Sequence, residues 1–360
     1  MTTTKRIRGL TTLRAIATIG VLLYHAFPNL MKGGFFGVIT FFVLSGYLKG
    51  YHIYTTTPLV DYYRKRLGRL YIPLIIVLFS SVGMLVLVDK YKLVHTPEEI
   101  KSILFGYNNF WQIKMNSNYF TNLSNTSLFT HLWYLSIIVQ FDLLWPFLQR
   151  LYLYLLEEYK ELNIRLMFLI VILLSFLILP FIILVSKEPN YTFLYYHTLT
   201  RIFSILAGVG MGILDRERKR SIPYSKLFAR GIYGLFIGVT ILFYLFANGT
   251  SKFVYVLGMQ IYTALVCMMI HFFVNKPSAF HYLVDDIVSK FIATYSYEIY
   301  LWQYPILFLT SILFKNATYI PKILPIIITI LLSIWLKTFL FFLSHRKQIN
   351  ITALLFERVK

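Results

Sequence analysis

The fold is decided by residues 14–46, which read RAIATIGVLLYHAFPNLMKGGFFGVITFFVLSG. Two apolar runs are joined here by a short turn, and the first run contains both Arg14 and His25. An ionisable residue inside a membrane span costs about 3 kcal/mol at the bilayer centre, so two in one span indicate a functional site. On a helix, a spacing of eleven residues places both side chains on one face with roughly 16 Å of rise between them. The alternative is a histidine bonded to a neighbouring helix's carbonyl.

The composition predicts a polytopic membrane protein. Of the 360 residues, 58% are hydrophobic, and the mean hydropathy of +0.65 is too high for a water-soluble chain of this length. The net charge of +20 comes from basic residues that lie between apolar runs, which indicates the positive-inside rule and anionic membrane lipid rather than nucleic acid. Cys267 is the one cysteine, and no His-Glu-x-x-His spacing occurs, so we expect no metal site.

The apolar runs predict an all-α membrane protein with about ten transmembrane helices in a single domain covering residues 1–360. We expect both termini on the cytoplasmic side because the basic clusters fall on one side of the membrane. The predicted spans are residues 10–27, 35–51, 67–88, 129–151, 165–185, 197–214, 229–247, 253–274, 291–313 and 321–343.

One long loop, residues 89–128, lies on the opposite side and is rich in asparagine and aromatic residues. Amide and aromatic side chains are frequent on carbohydrate-binding surfaces. An irregular exposed loop in which asparagine stabilises turns explains the same composition equally well. The asparagines are Asn108, Asn109, Asn116, Asn118, Asn122 and Asn125.

A basic pair, Arg66 and Arg69, stands three residues apart at the start of the third predicted span. Such a pair can bind a diphosphate through forked donors if both guanidinium groups face one direction. Anchoring of the helix at the membrane surface is the alternative.

Further polar side chains lie within or at the edges of later spans. Asp142 and Glu298 are the main carboxylates inside spans, and we expect Arg14 or Arg201 as their partners. His131 and Trp133 are predicted at the outer edge of the fourth span. Aromatics near Glu298, Trp302 among them, fit either helix packing or a sugar-binding surface.

Six segments together resemble the integral-membrane acyltransferase family 3, which includes the membrane domains of bacterial peptidoglycan O-acetyltransferases. They occur in family order across nearly the whole chain. The segments are LRAIATIGVLLYH, GGFFGVITFFVLSGYL, RKRLGRLYIPL, HLWYLSIIVQFDLLWP, RIFSILAG and SYEIYLWQYPI.

The resemblance implies transfer of an acetyl group from cytoplasmic acetyl-CoA to a hydroxyl of an extracytoplasmic cell-wall or surface glycan, in the bacterial plasma membrane. It makes Arg14 and His25 the catalytic pair, and Arg66 and Arg69 candidates for binding the donor. Beside these four, the polar and aromatic residues of the later spans are predicted to bind substrate or to support the site: His131, Trp133, Asp142, Arg201, Glu298 and Trp302. The match leaves open whether His25 carries the acetyl group or acts only as a base.

The chain departs from the family pattern at several positions. Thr11 and Thr12 replace an Asp-Gly pair, and Ile39 replaces an aspartate. The usual glutamate of the fourth span is Ile138 or Val139, although Asp142, at a common tyrosine position, lies one turn away. Two other readings therefore stay open: a glycan transporter or exporter, and a catalytically silent assembly partner.

Some relatives continue into an extracytoplasmic SGNH-type domain that completes the transfer. Here the last residues read HRKQINITALLFERVK, without a Gly-Asp-Ser motif, and we expect no such domain in this chain. Either the membrane domain acylates the acceptor itself, a separate extracytoplasmic transferase completes the reaction, or the chain is a fragment.

Overall fold

The computed structural model describes residues 7–93, 95–115, 127–159, 163–218, 225–314 and 323–357. These residues form helices and connecting turns, so the prediction of an all-α protein is confirmed for the described part of the chain. The helices are α1 Leu10–Ala26, α2 Phe36–Tyr51, α3 Leu59–Asp89, α4 Thr96–Leu104, α5 Asn108–Lys114, α6 Trp133–Glu158, α7 Ile164–Val185, α8 Tyr191–Tyr196, α9 Thr198–Glu217, α10 Lys226–Phe246, α11 Met259–Asn275, α12 Ile287–Leu313 and α13 Ile323–Glu357.

Each of the ten predicted spans coincides with a helix, and the described chain is that of a multi-pass membrane protein. Seven helical stretches are long and apolar enough to cross a membrane, and α1 and α2 are shorter apolar helices. The count of ten spans and the cytoplasmic placement of both termini stay predictions. The seven stretches are Leu59–Leu93, Thr130–Glu158, Ile164–Val185, Tyr191–Glu217, Lys226–Phe246, Val254–Asn275 and Ile323–Leu343.

The outward faces of these helices are apolar. Helix α7, for example, contains almost no polar residue, and its Leu173, Phe181 and Leu184 side chains are each about two-thirds exposed or more. Exposed apolar faces of this extent are stable against lipid rather than water. Polar side chains are instead buried between the helices, which places the site chemistry inside the bundle.

Helices α2 and α9 pack with their backbones almost in contact through a glycine pair on each helix. A Cβ atom added at Gly46 would lie 2.0 Å from the Ile205 carbonyl oxygen, and one added at Gly208 would lie 2.2 Å from that of Val43. Gly50 and Gly212, four residues further along each helix, are equally tight. This is the Gly-x-x-x-Gly packing of membrane helices, and it brings Lys49 on α2 to a fixed depth in the bundle.

The long loop predicted for residues 89–128 contains two helices, α4 and α5, so the prediction of an irregular exposed loop is wrong for its described part. Asn108 and Asn109 are fully buried and do not form a carbohydrate-binding surface. Asn108 donates to Ser102 Oγ at 2.9 Å, and Asn109 donates to the Tyr196 carbonyl at 3.1 Å. The other four asparagines lie outside the described residues.

Helix α4 also carries a buried carboxyl group, Glu99, outside the candidate spans. Its Oε1 accepts hydrogen bonds from Ser127 Oγ at 2.5 Å and from Gln112 Nε2 at 3.1 Å. Burial raises the pKa of Glu99 to about 7, because desolvation outweighs the effect of the two donors. This network joins α4, α5 and the segment before α6 into a polar cap near the His25 end of α1.

Candidate active site

Helix α1 carries the predicted pair at its two ends. Arg14 lies one turn after the start of the helix, and His25 lies in its last turn. Their spacing on one uninterrupted helix is the one that the sequence predicts, with roughly 16 Å of rise. The helix therefore connects two chemically different regions of the bundle.

The His25 end holds a cluster of imidazole and phenol rings. The His25 ring centroid lies 5.3 Å from that of Tyr304 and 6.3 Å from that of His131. His131 stacks on Tyr304 at 5.2 Å and contacts Tyr300 at the same distance. The structure thus brings the two predicted histidines together, with α12 supplying both tyrosines. Imidazole and phenol groups can accept and donate protons, so this cluster can supply a base to a hydroxyl substrate that hydrogen-bonds to one of its members.

A cavity of about 500 Å³ begins at the Arg14 end. Lys49, Arg66 and Arg14 lie on its wall, together with Tyr62, Tyr134 and Tyr300. Tyr300 is the link to the other end, because its ring also contacts His131 and its hydroxyl donates to the His131 carbonyl. His25 is not among the described residues that line this first cavity. The packed Tyr300 and His131 side chains, here called the Tyr300–His131 layer, therefore separate the two regions in this conformation.

Two cations of the first cavity share one buried carboxylate. Asp142 has no exposed surface, and its two oxygens lie 2.6 Å from Lys49 Nζ and 2.6 Å from Arg66 Nε. The cluster carries a net charge of +1, and Arg14 adds a second positive charge to the same wall. A cavity of this charge is suited to a phosphorylated ligand.

Arg69 does not lie beside Arg66 on the wall of the first cavity, so the two side chains do not face one direction as the sequence predicted, and a donor-binding role of Arg69 stays a prediction. Arg66 turns inward because the Asp142 carboxylate holds its guanidinium group, whereas Arg69 is exposed and absent from the wall of the first cavity. Sequence reasoning missed Lys49 instead. The signal was available, because Lys49 is an ionisable residue within an apolar run, the criterion that singled out Arg14 and His25.

Both membrane carboxylates have partners other than Arg201, whereas a pairing with Arg14 stays a prediction. Asp142 pairs with Lys49 and Arg66, as above, and Glu298 lies 3.3 Å from Lys337 Nζ on α13. Spacing along one helix gives the face on which a charge lies but not which neighbouring helix packs against that face. Neither partner could therefore be read from the sequence.

Arg201 lies in an aromatic environment rather than beside a carboxylate. Its Nε donates to the Tyr195 carbonyl at 2.7 Å, and its guanidinium carbon lies 4.5 Å from the Tyr195 ring centroid. Trp133 and Tyr255 complete the aromatic environment at 5.8 and 5.9 Å. Cation–π contacts offset part of the cost of burying this charge.

Both predicted tryptophans are buried packing residues. Trp133 is 1% exposed and Trp302 is 2% exposed, so neither presents a surface to a sugar from solvent. The ring of Trp133 contacts Tyr195 at 4.7 Å, on the Arg201 side. Trp302 lies in the apolar cluster that joins α3, α6 and α12.

A second cavity of about 710 Å³ lies against the first. Arg14 and His52 are on the walls of both, as are Leu48 and Thr55. The second cavity adds two further cations, Arg216 on α9 and Lys337 on α13, and two tyrosines of α2 and the following turn. The Arg14 end therefore opens into two adjoining spaces, both lined by positive charge.

Similarity to known proteins points to acyl transfer. A family model described as an acyltransferase domain matches residues 7–342. The chain is 30% identical over 336 residues to the O-acetyltransferase OatA of Staphylococcus aureus (strain NCTC 8325 / PS 47), which covers 90% of this chain and 53% of that protein. It is 31% identical over 330 residues to a putative O-acetyltransferase of S. aureus (strain COL), covering 89% of this chain and 53% of the relative.

The chain spans about half the length of these curated relatives. No solved structure matches it. The family model covers nearly the whole of the described chain. The segments that carry the resemblance also form the Arg14–His25 helix and the cavity beside it. The chain therefore belongs to the acyltransferase family 3.

Proposed function

We propose that this protein is a membrane O-acetyltransferase that moves an acetyl group from cytoplasmic acetyl-CoA to a hydroxyl of a cell-wall or surface glycan outside the plasma membrane. The observation that carries the proposal is the arrangement of α1. Arg14 lies on a positively charged cavity at one end, and His25 lies in a histidine–tyrosine cluster at the other.

The first cavity fits the donor chemically. A diphosphate needs more than one cation, and Arg14, Lys49 and Arg66 line one space. The remaining wall is largely apolar, which suits a pantetheine arm. From this cavity the thioester would approach Tyr300 and the His131 layer, and displacement of that layer would expose it to His25.

In the reaction, the acceptor oxygen forms a bond to the acetyl carbon and the carbon–sulfur bond of the thioester breaks. The proton of the acceptor hydroxyl passes to the His25 imidazole, and the imidazolium gives it to the departing thiolate beside it, so that the products are the acetyl ester and the free thiol. Two routes satisfy this balance: direct attack with His25 as base, or transfer through an acetyl-imidazole on His25. Trapping of acetyl-His25 from labelled donor distinguishes them.

Asp142 argues against a catalytically silent protein. Although the family's usual glutamate is missing from α6, Asp142 lies on the same helix and binds Arg66 and Lys49 on the cavity wall. We infer that it replaces the missing carboxylate in positioning the donor-binding cations.

The proposal is tested by thiol release from acetyl-CoA, with peptidoglycan fragments as the acceptor, for the wild type, His25→Ala and the matched control His281→Ala. His281 is exposed and lies outside the cluster. We expect turnover by the wild type and the control but not by His25→Ala. Full activity of His25→Ala would refute the role of His25, and glycan movement that needs no acyl donor would favour a transporter. Donor binding without turnover in the wild type would favour an assembly partner or a missing extracytoplasmic transferase.

A further inference from the structure

The second cavity adjoins the first, and the thioester of a bound donor would not occupy it. The first cavity extends from the cations towards Tyr300, so the reactive end of a donor would lie there. The other end of the same molecule must leave past the shared wall, which consists of Arg14, Leu48, His52 and Thr55. It would then enter the second cavity.

The charges of the second cavity are not equivalent. Lys337 Nζ is engaged by Glu298 at 3.3 Å and by the Thr294 carbonyl, so its charge is largely satisfied within the protein. The guanidinium carbon of Arg216 lies 5.9 Å from the Tyr51 ring centroid, and the ion pairs of the described residues do not include Arg216. Of the two cations that the second cavity adds, Arg216 is therefore the one that the ion pairs of the described residues leave available to an anionic ligand.

The aromatic groups of this cavity are held in place. Tyr54 donates its hydroxyl hydrogen to Glu217, and the Tyr51 ring stacks on Tyr47 at 5.8 Å. His52 donates from Nδ1 to the Leu48 carbonyl at 2.8 Å, which fixes its ring beside them. Fixed aromatic faces beside a guanidinium group suit a purine base that carries a nearby phosphate.

We infer that the second cavity binds the 3′-phosphorylated adenosine end of the acyl donor, with Arg216 contacting the 3′-phosphate and the tyrosine wall contacting the base. The inference rests on the proposed function, because it takes the donor to be an acyl-coenzyme A. It adds a specificity-determining residue, since the 3′-phosphate distinguishes coenzyme A from its dephosphorylated precursor and from other adenine nucleotides.

The test compares the dissociation constants of acetyl-CoA and acetyl-dephospho-CoA, which differ only in the 3′-phosphate, for the purified full chain in detergent. We expect the wild type to prefer acetyl-CoA by about tenfold to a hundredfold, the range of one charge-assisted hydrogen-bonded contact. Arg216→Ala should lower this ratio to nearly one, and Arg216→Lys should keep part of it. Arg218→Ala is the matched control, because it removes the same charge two residues away, beside His271 and outside the second cavity.

A wild type that binds both donors equally would overturn the inference and leave the proposed function intact; this is also the result expected if a lipid headgroup occupies the second cavity. An unchanged ratio in Arg216→Ala, or an equal loss in Arg218→Ala, would overturn it as well. A wild type that binds neither donor would refute the proposed function together with the inference. Slow reaction of buried Cys267 with a maleimide confirms that each variant is folded.

Discussion

Substitution of Asp142 by asparagine should destabilise the protein through the two cations that it leaves behind. Removing one partner of a buried ion pair typically costs about 3–5 kcal/mol. Lys49 is only 10% exposed, so its charge cannot reach water without moving, whereas Arg66 is 36% exposed and is partly screened. We therefore expect the lower end of the range, about 3 kcal/mol, most of it from the unpaired lysine.

The single cysteine provides the assay. Cys267 is buried on α11, so a thiol-reactive fluorophore reports unfolding of the detergent-solubilised protein during heating. At about 2 °C per kcal/mol for a large chain, Asp142→Asn should lower the apparent midpoint by about 6 °C. The matched control is Asp61→Asn, which breaks the exposed Asp61–Arg64 pair and should shift the midpoint by about 1 °C or less.

A double variant separates the unpaired charge from other effects of the substitution. Adding Lys49→Met to Asp142→Asn removes the stranded ammonium group and should recover at least half of the lost midpoint. Equal shifts for Asp142→Asn and Asp61→Asn, or additive losses in the double variant, would refute the buried three-residue cluster.

Two further predictions concern the polar cap and the α2–α9 contact. Because burial raises the pKa of Glu99 to about 7, the folded state retains a proton that the unfolded state loses near pH 4.5. Stability should therefore fall by about 3 kcal/mol as the pH rises from 4.5 to 7. In thermal unfolding, Glu99→Gln should flatten this dependence and exposed Glu98→Gln should not; an unchanged slope in Glu99→Gln would contradict the assignment. Gly46→Ala should lower the unfolding midpoint by several degrees because its Cβ would meet the Ile205 carbonyl, whereas Gly231→Ala, with open space around it, should not; equal midpoints would contradict the close α2–α9 packing.

Periodicity and apolar length were sufficient to predict the long apolar helices. All ten predicted spans fall on helices because a chain in lipid must satisfy its backbone hydrogen bonds within each segment. The same reasoning failed for the segment between α3 and α6. Glu99, Asn108 and Gln112 look like solvent-exposed loop residues in the sequence, but they are buried because they satisfy one another.

The site was predictable where one helix carries it and unpredictable where helices meet. Arg14 and His25 share α1, so their spacing alone fixed their relation. The partners of Asp142 come from α2 and α3, and only the packing of three helices decides that Lys49 is included and Arg69 is not. Glycine pairs that begin at Gly46 and Gly208 were a readable signal for the α2–α9 contact that sets this depth.

In the proposed reaction, an acetyl group passes from the Arg14 end of α1 to the His25 end. The most direct measurement uses proteoliposomes with peptidoglycan fragments sealed inside and acetyl-CoA, labelled in its acetyl group, added only outside. We expect labelled glycan in the lumen for the wild type and for His281→Ala, and none for His25→Ala, because the proposed transfer requires His25. Luminal labelling that survives in His25→Ala, or thioester turnover by the wild type with label found only on the outer side, would contradict it.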